Sequence, residues 1–130
     1  MDLKLLTNFV GKRGAAEDSI KKAEADLRWQ FPHQYREFLL QMNGGEGFIG
    51  ENYLILWAAE ELAQFNREYE VKEYAPELIL IGSDGGGEGY AYDTRQVPSP
   101  IVQIPFIGME LQYARTVASD FGKFIAILAS

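Results

Sequence analysis

The run Ile81-Gly82-Ser83-Asp84-Gly85-Gly86-Gly87-Glu88-Gly89-Tyr90 sets five glycines and two carboxylates between apolar, strand-like segments, and no other stretch of the chain restricts the backbone so strongly. Leu78 to Ile81 is β-prone and Tyr90 to Tyr92 restores alternation. Gly82, Gly85, Gly86, Gly87 and Gly89 therefore read as structural residues of a turn that needs positive φ or close backbone approach. The sharper alternative is a phosphate cradle, which needs a helix after the loop and a Lys-Ser/Thr pair. Here the following Tyr90-Ala91-Tyr92-Asp93 is strand-like, and Asp84 and Glu88 would repel phosphate.

At 130 residues, 47% of them hydrophobic, the chain is long enough for one core without metal or disulfide staples, so residues 1–130 read as a single domain. No cysteine is present and His33 is the only histidine, which excludes a disulfide framework, a thiol nucleophile and the multi-histidine metal sites. The expectation is a protein with no catalytic residues, no metal and no cofactor. Asp2, Lys4 and Asn8 interrupt the first ten residues too often for a signal peptide or a span, so a cytoplasmic location is expected.

The net charge of −7 is unevenly distributed. Residues 1–45 and 94–130 each sum to +1, whereas residues 46–93 hold eleven carboxylates against Arg67 and Lys72, a net of −9. Such a balance argues against direct nucleic-acid or anionic-membrane binding and favours a basic partner; the plainer reading is a solvated acidic surface.

Periodicity predicts a short helix over Asp2–Val10, a break at Gly11–Gly14, and a helix from about Ala16 to Trp29 with Ile20, Ala23 and Leu27 on one face. Another helix starts at Pro32, carries Tyr35, Phe38, Leu39 and Met42 inward, and ends on Asn43-Gly44-Gly45 as a left-handed stop. A hairpin of Phe48-Ile49 and Tyr53–Trp57 follows, then a helix from Ala59 to about Val71. Strands are expected at Leu78–Ile81, Tyr90–Asp93 and Ile101–Ile104, and a last helix capped by Ser119 or Asp120 buries Phe121, Phe124, Ile125 and Leu128. Helices first, then strands and helices without regular alternation, describe an α+β fold: a largely antiparallel or mixed sheet with N-terminal helices and a C-terminal helix packed on it.

Candidate chemistry is sparse. Ser83 is not in a Gly-x-Ser-x-Gly elbow, and His33 sits in the first turn of a helix, where a surface role is commonest. Asp84, Glu88 and Asp93 have the groups for acid–base work or a hard cation, but not the twelve-residue calcium-loop spacing. The aromatics Tyr53, Trp57, Tyr90 and Tyr92 alternate on strands, as core residues or as a recognition face.

The ordered series of a helix with Ile20, Glu24 and Leu27, then Phe31-Pro32-His33-Gln34-Tyr35-Arg36-Glu37-Phe38-Leu39, Asn43-Gly44-Gly45-Glu46-Gly47, a strand ending at Trp57, Glu61-Leu62, and Leu80 to Asp93 resembles the SUKH superfamily in its Smi/Knr-like branch, over about residues 16–128. Arg28 stands where that family often has glycine, and a left-handed helix stop costs more for arginine. The resemblance implies a non-enzymatic role: bacterial members neutralise toxin domains, often nucleases, and fungal relatives regulate cell-wall synthesis. It carries over no catalytic residue. A nuclease site is basic to receive phosphate, so an acidic inhibitor surface fits it, and Glu60, Glu61, Glu68, Asp84 and Glu88 are the candidate contacts with a basic protein toxin domain. The rival reading is a small enzyme or ligand sensor using the carboxylates near the Gly82–Gly89 turn.

Overall fold

In the computed structural model, which describes residues 3–130, the alternating and glycine-rich segments form one antiparallel sheet of seven strands in chain order. The strands are β1 (Asn8–Arg13), β2 (Met42–Ile49), β3 (Asn52–Leu56), β4 (Leu78–Ser83), β5 (Glu88–Asp93), β6 (Ile101–Pro105) and β7 (Arg115–Ala118). Five α-helices accompany them among the described residues: α1 (Glu17–Leu27), α2 (His33–Gln41), α3 (Ala59–Glu68), α4 (Val71–Tyr74) and α5 (Phe121–Ala129). The result is an α+β domain, with the sheet antiparallel throughout.

The N-terminal expectation is overturned. Asp2 lies outside the described residues; Leu3–Leu6 forms a single 3-10 turn and Asn8–Arg13 is strand β1, running through the expected break. Phe9 is buried while its neighbours Asn8 and Val10 face water, as on a strand, and β2 supplies the pairing partner that local periodicity does not reveal. The stop of α2 also differs. Met42 is already extended and β2 begins there, so Asn43, Gly44 and Gly45 lie within a strand rather than capping the helix.

The helical motif residues explain themselves as scaffold. Arg28 takes the left-handed conformation (φ 53°) that glycine would adopt more cheaply, and closes α1 with Arg28 N–H to Ala25 O and Trp29 N–H to Glu24 O. The Glu24 carboxylate then accepts from Phe31 N–H at 2.8 Å and pairs with Arg36, which also reaches Glu17, so one acid ties α1 to the start of α2. At the other end of the chain, Asp120 caps α5 by accepting from Lys123 N–H, and Phe121, Phe124, Ile125 and Leu128 are all buried.

Two faces of the sheet have different covers. The inner face carries Phe9 from β1, Leu54 and Leu56 from β3, and Tyr90 and Tyr92 from β5; Tyr90 meets Phe124 of α5 and Tyr92 meets Tyr35 of α2. Tyr35 and Tyr92 are almost fully buried with hydroxyls that have no hydrogen-bond partner among the described residues, and burial pushes both phenols far above their ordinary pKa.

The outer face is defined by one row of cross-strand partners, Val10–Glu46–Ile55–Ser83–Gly89–Ile104. At its β5–β6 end the row is roofed: Phe106 lies over Gly89, Tyr69 stacks on Phe106 at 4.3 Å, and Phe65 of α3 stacks on Trp57 at 4.5 Å.

Candidate functional site

The glycine turn is built by its own acid. Asp84 N–H donates to Glu88 O, and the Asp84 Oδ1 accepts from Gly86 N–H at 2.7 Å and Glu88 N–H at 3.1 Å, while Ser83 Oγ accepts from Gly85 N–H. Gly85 has φ +79°, a left-handed conformation that side chains disfavour. Gly82 is required for space instead, because a Cβ there would sit 2.1 Å from the Ile55 carbonyl oxygen across β3. Gly89 lies under Phe106 and Leu80, and Gly87 also has positive φ; Gly86 has neither constraint, its nearest neighbour being the Asp84 carboxylate at 3.5 Å.

The remaining candidate acids lie on α3, and their local roles are specific. The N-cap residue Ala58 has no side-chain oxygen to offer. Asn43 of β2 replaces it, accepting from Ala59 N–H through Oδ1 and donating through Nδ2 to Glu60, both at 2.8 Å. Glu61 folds back to accept from Ala58 N–H and also faces Lys12 at 3.6 Å. Glu68, exposed in the last turn, accepts from Gln64. Glu88 faces Arg115 of β7 at 3.5 Å.

The helix and the turn meet at one end only. Tyr69, next to Glu68, stacks on Phe106, whose N–H donates to Gly87 O, so the Glu68 end of α3 abuts the glycine turn. Glu60 and Glu61 lie about 10 to 12 Å along the helix axis from Glu68, since each residue rises about 1.5 Å. Asp93 is further still from the turn, at the opposite end of β5, where it is buried and holds Arg95 in a two-pronged pair; that guanidinium keeps its carboxyl below the usual range. Asp84, Glu88 and Asp93 therefore do not converge on one reacting centre. Two cavities of about 630 and 420 Å³ lie elsewhere, the first beside Arg28, Asn66, Arg67 and Glu77, the second beside Trp29, His33, Tyr92 and Asp120, and neither has Asp84 or Glu88 in its wall.

Against this geometry, the description of the SMI1/KNR4 family (SUKH-1) matches residues 14–127. The chain belongs to that family. It is also 36% identical over 124 residues to the uncharacterized protein YnaB of Bacillus subtilis (strain 168), covering 94% of this chain and 81% of the relative. The SUKH-1 family includes immunity proteins, and its members are generally immunity or regulator proteins rather than enzymes. No helix among the described residues is long and apolar enough to cross a membrane.

Two parts of the SUKH-1 scaffold escaped the sequence reading. Asn66 of α3 accepts from Leu80 N–H and donates to Leu80 O and Leu62 O, taking the place of a strand beside the part of β4 that β3 does not reach. The outer-face residues Val10, Phe48 and Ile55 come together only through register. Of the four aromatics read as core or recognition face, Trp57, Tyr90 and Tyr92 are buried, while Tyr53 is half-buried beside Phe48.

Proposed function

We propose that this SUKH-1 protein is a non-enzymatic binding protein that neutralises a toxin domain, a nuclease being the best-matched class, through its acidic central region. The observation that carries the reading is family membership over residues 14–127, in a family that includes immunity proteins. Charge supports it, because residues 46–93 carry a net of −9 and a phosphate-receiving active site is basic. The employment of the turn acids supports it too. One oxygen of Asp84 is held by two backbone amides and Glu88 faces Arg115, so both turn acids have structural partners.

The test is binding and growth protection against the toxin domain encoded beside this chain's gene, compared with toxin domains from unrelated loci. Rescue of growth by the wild-type chain, with association slowing as salt is raised, is the expected result. Charge reversal at Glu68 or Glu88 weakens binding by about 1–4 kcal/mol, whereas Lys4→Glu and Lys123→Glu leave it unchanged. Glu61→Lys removes a helix cap as well as a charge, so its affinity is read beside its own unfolding curve. Equal affinities in all variants would move recognition away from the acids. Turnover of a nucleotide, glycoside or ester that is lost in Asp84→Asn would replace the proposal with an enzyme.

A further inference from the structure

An antiparallel sheet with one side in water ordinarily presents polar side chains there. The outer face of β1–β3 sets apolar side chains among the polar ones, with Asn8 and Glu46 exposed beside them. Val10 of β1, Phe48 of β2, and Tyr53 and Ile55 of β3 share that face, because Val10, Glu46 and Ile55 are lateral partners and Phe48 pairs with Tyr53 one step along. Val10 is 77% exposed and Phe48 52%, and the Phe48 ring meets Tyr53 edge-on at 5.1 Å. Two strands further along the sheet the same face is roofed by Tyr69 and Phe106, and Phe65 covers Trp57 just past the end of β3, whereas Val10 and Phe48 stay exposed. Exposed apolar side chains grouped on one face in this way, as distinct from scattered single ones, mark an interaction surface.

The charge around the cluster identifies what it fits. Glu46 stands exposed in the middle of the row, held by the Tyr53 hydroxyl. Gly85 of the acidic turn lies against the Tyr53 ring, a Cβ there falling 3.0 Å from it, which brings Asp84 to the border of the patch. Lys12, from β1, is already paired with Glu61. A second copy of the chain would set acid against acid.

We propose that the open half of the outer sheet face, formed by Val10, Phe48, Tyr53 and Ile55 around Glu46, is the docking surface for an apolar segment of a basic partner protein. The inference rests on the protein-binding reading and adds a contact surface that the acids of α3 do not include. Apolar side chains of the partner cover Val10 and Phe48, while a lysine or arginine meets Glu46 between them and the carboxylate of Asp84 adds negative charge at the border.

A random-peptide display library panned on the immobilised protein tests this whatever the identity of the partner. Enriched peptides should combine apolar residues with Lys or Arg, shift the backbone resonances of β1–β3, and bind less tightly as salt rises. Phe48→Ser and Val10→Asn should each weaken a selected peptide about tenfold or more, as expected for central apolar contacts. Ile127→Ser and Tyr74→Ser, which remove side chains 47% and 49% exposed elsewhere, should change it less than about twofold. Unfolding curves of all four variants keep a folding defect from being mistaken for a binding one, and Val10→Asn serves if Phe48→Ser fails to fold.

Enrichment of acidic or purely polar peptides, resonance shifts confined to other elements, or no enrichment at all would overturn the proposal. So would a self-association that Phe48→Ser abolishes, which would make the occupant a second copy. Peptides that dock on β1–β3 while no toxin domain is neutralised would sink the immunity reading and leave this surface standing. Neutralisation that is indifferent to Phe48→Ser and Val10→Asn would do the reverse.

Discussion

Ile104 and Val10 belong to one cross-strand row on one face of one sheet, yet Ile104 is completely buried and Val10 is 77% exposed. Between them the row passes exposed Glu46, half-buried Ile55, and buried Ser83 and Gly89. The strands are alike in alternation; what changes is the cover. Toward the β6 end, α3 and the loop after β6 bring Tyr69 and Phe106 overhead and Phe65 over Trp57, while at the β1 end Val10 is left open to solvent. Apolar side chains in the first region stabilise the fold by burial, and those in the second contribute little to it until something lies on them.

The largest expected effect in this contrast comes from the roof. Trp57→Ala removes a buried ring stacked on Phe65 and should cost about 3–5 kcal/mol in a urea titration. A loss near that of an exposed residue would break the division into covered and open halves. Next is Asn66→Ala, which strands Leu80 N–H and C=O at the edge of β4 and should cost about 2–3 kcal/mol, with faster hydrogen exchange at the Leu80 amide as the local readout.

The phenols extend the comparison to the inner face. Folding raises the pKa of Tyr35 and Tyr92 above the unfolded value near 10, so both states stay protonated below about pH 10 and nothing is lost there. Above that pH the unfolded chain ionises first, and stability should fall by about 1.4 kcal/mol per pH unit for each phenol. Tyr35→Phe and Tyr92→Phe should each remove one such slope from alkaline unfolding curves, and Tyr53→Phe, whose phenol on the open face bonds to Glu46, should change the curve least of the three. A curve unaltered by Tyr35→Phe and Tyr92→Phe would mean that these hydroxyls reach water. The smallest effect is Phe48→Ser, which should change stability by less than about 1 kcal/mol because half of the side chain already faces solvent; a loss as large as that of Trp57→Ala would show the open half to be core.

Where a segment's neighbours are close in sequence, its structure was legible. The helices at α1, α2, α3 and α5 follow from apolar spacing, with Asp120 as the cap of the last, and the β2–β3 hairpin and β4 to β6 follow from alternation between turn residues. The misread segment, Asn8–Arg13, owes its conformation to β2, which lies beyond two intervening helices. Strand β7, four residues between a 3-10 turn and α5, is too short to show a period and exists because β6 pairs with it. The candidate acids were legible as charges; Glu88 finds Arg115 only in three dimensions, whereas Glu61 and Asp84 bond to backbone N–H groups three and two residues away, local motifs that a count of charges passes over.

Composition and pattern were enough for the α+β class, the acidic centre, the glycine turn and the SUKH-1 kinship, because each rests on residues near one another in the chain or on counts that folding does not change. Register, cover and pairing came from the fold. A strand records which residues share a face, but whether that face meets α3 or water depends on where a distant helix is laid down. That is how Val10 and Ile104 come to sit in one row with opposite exposures.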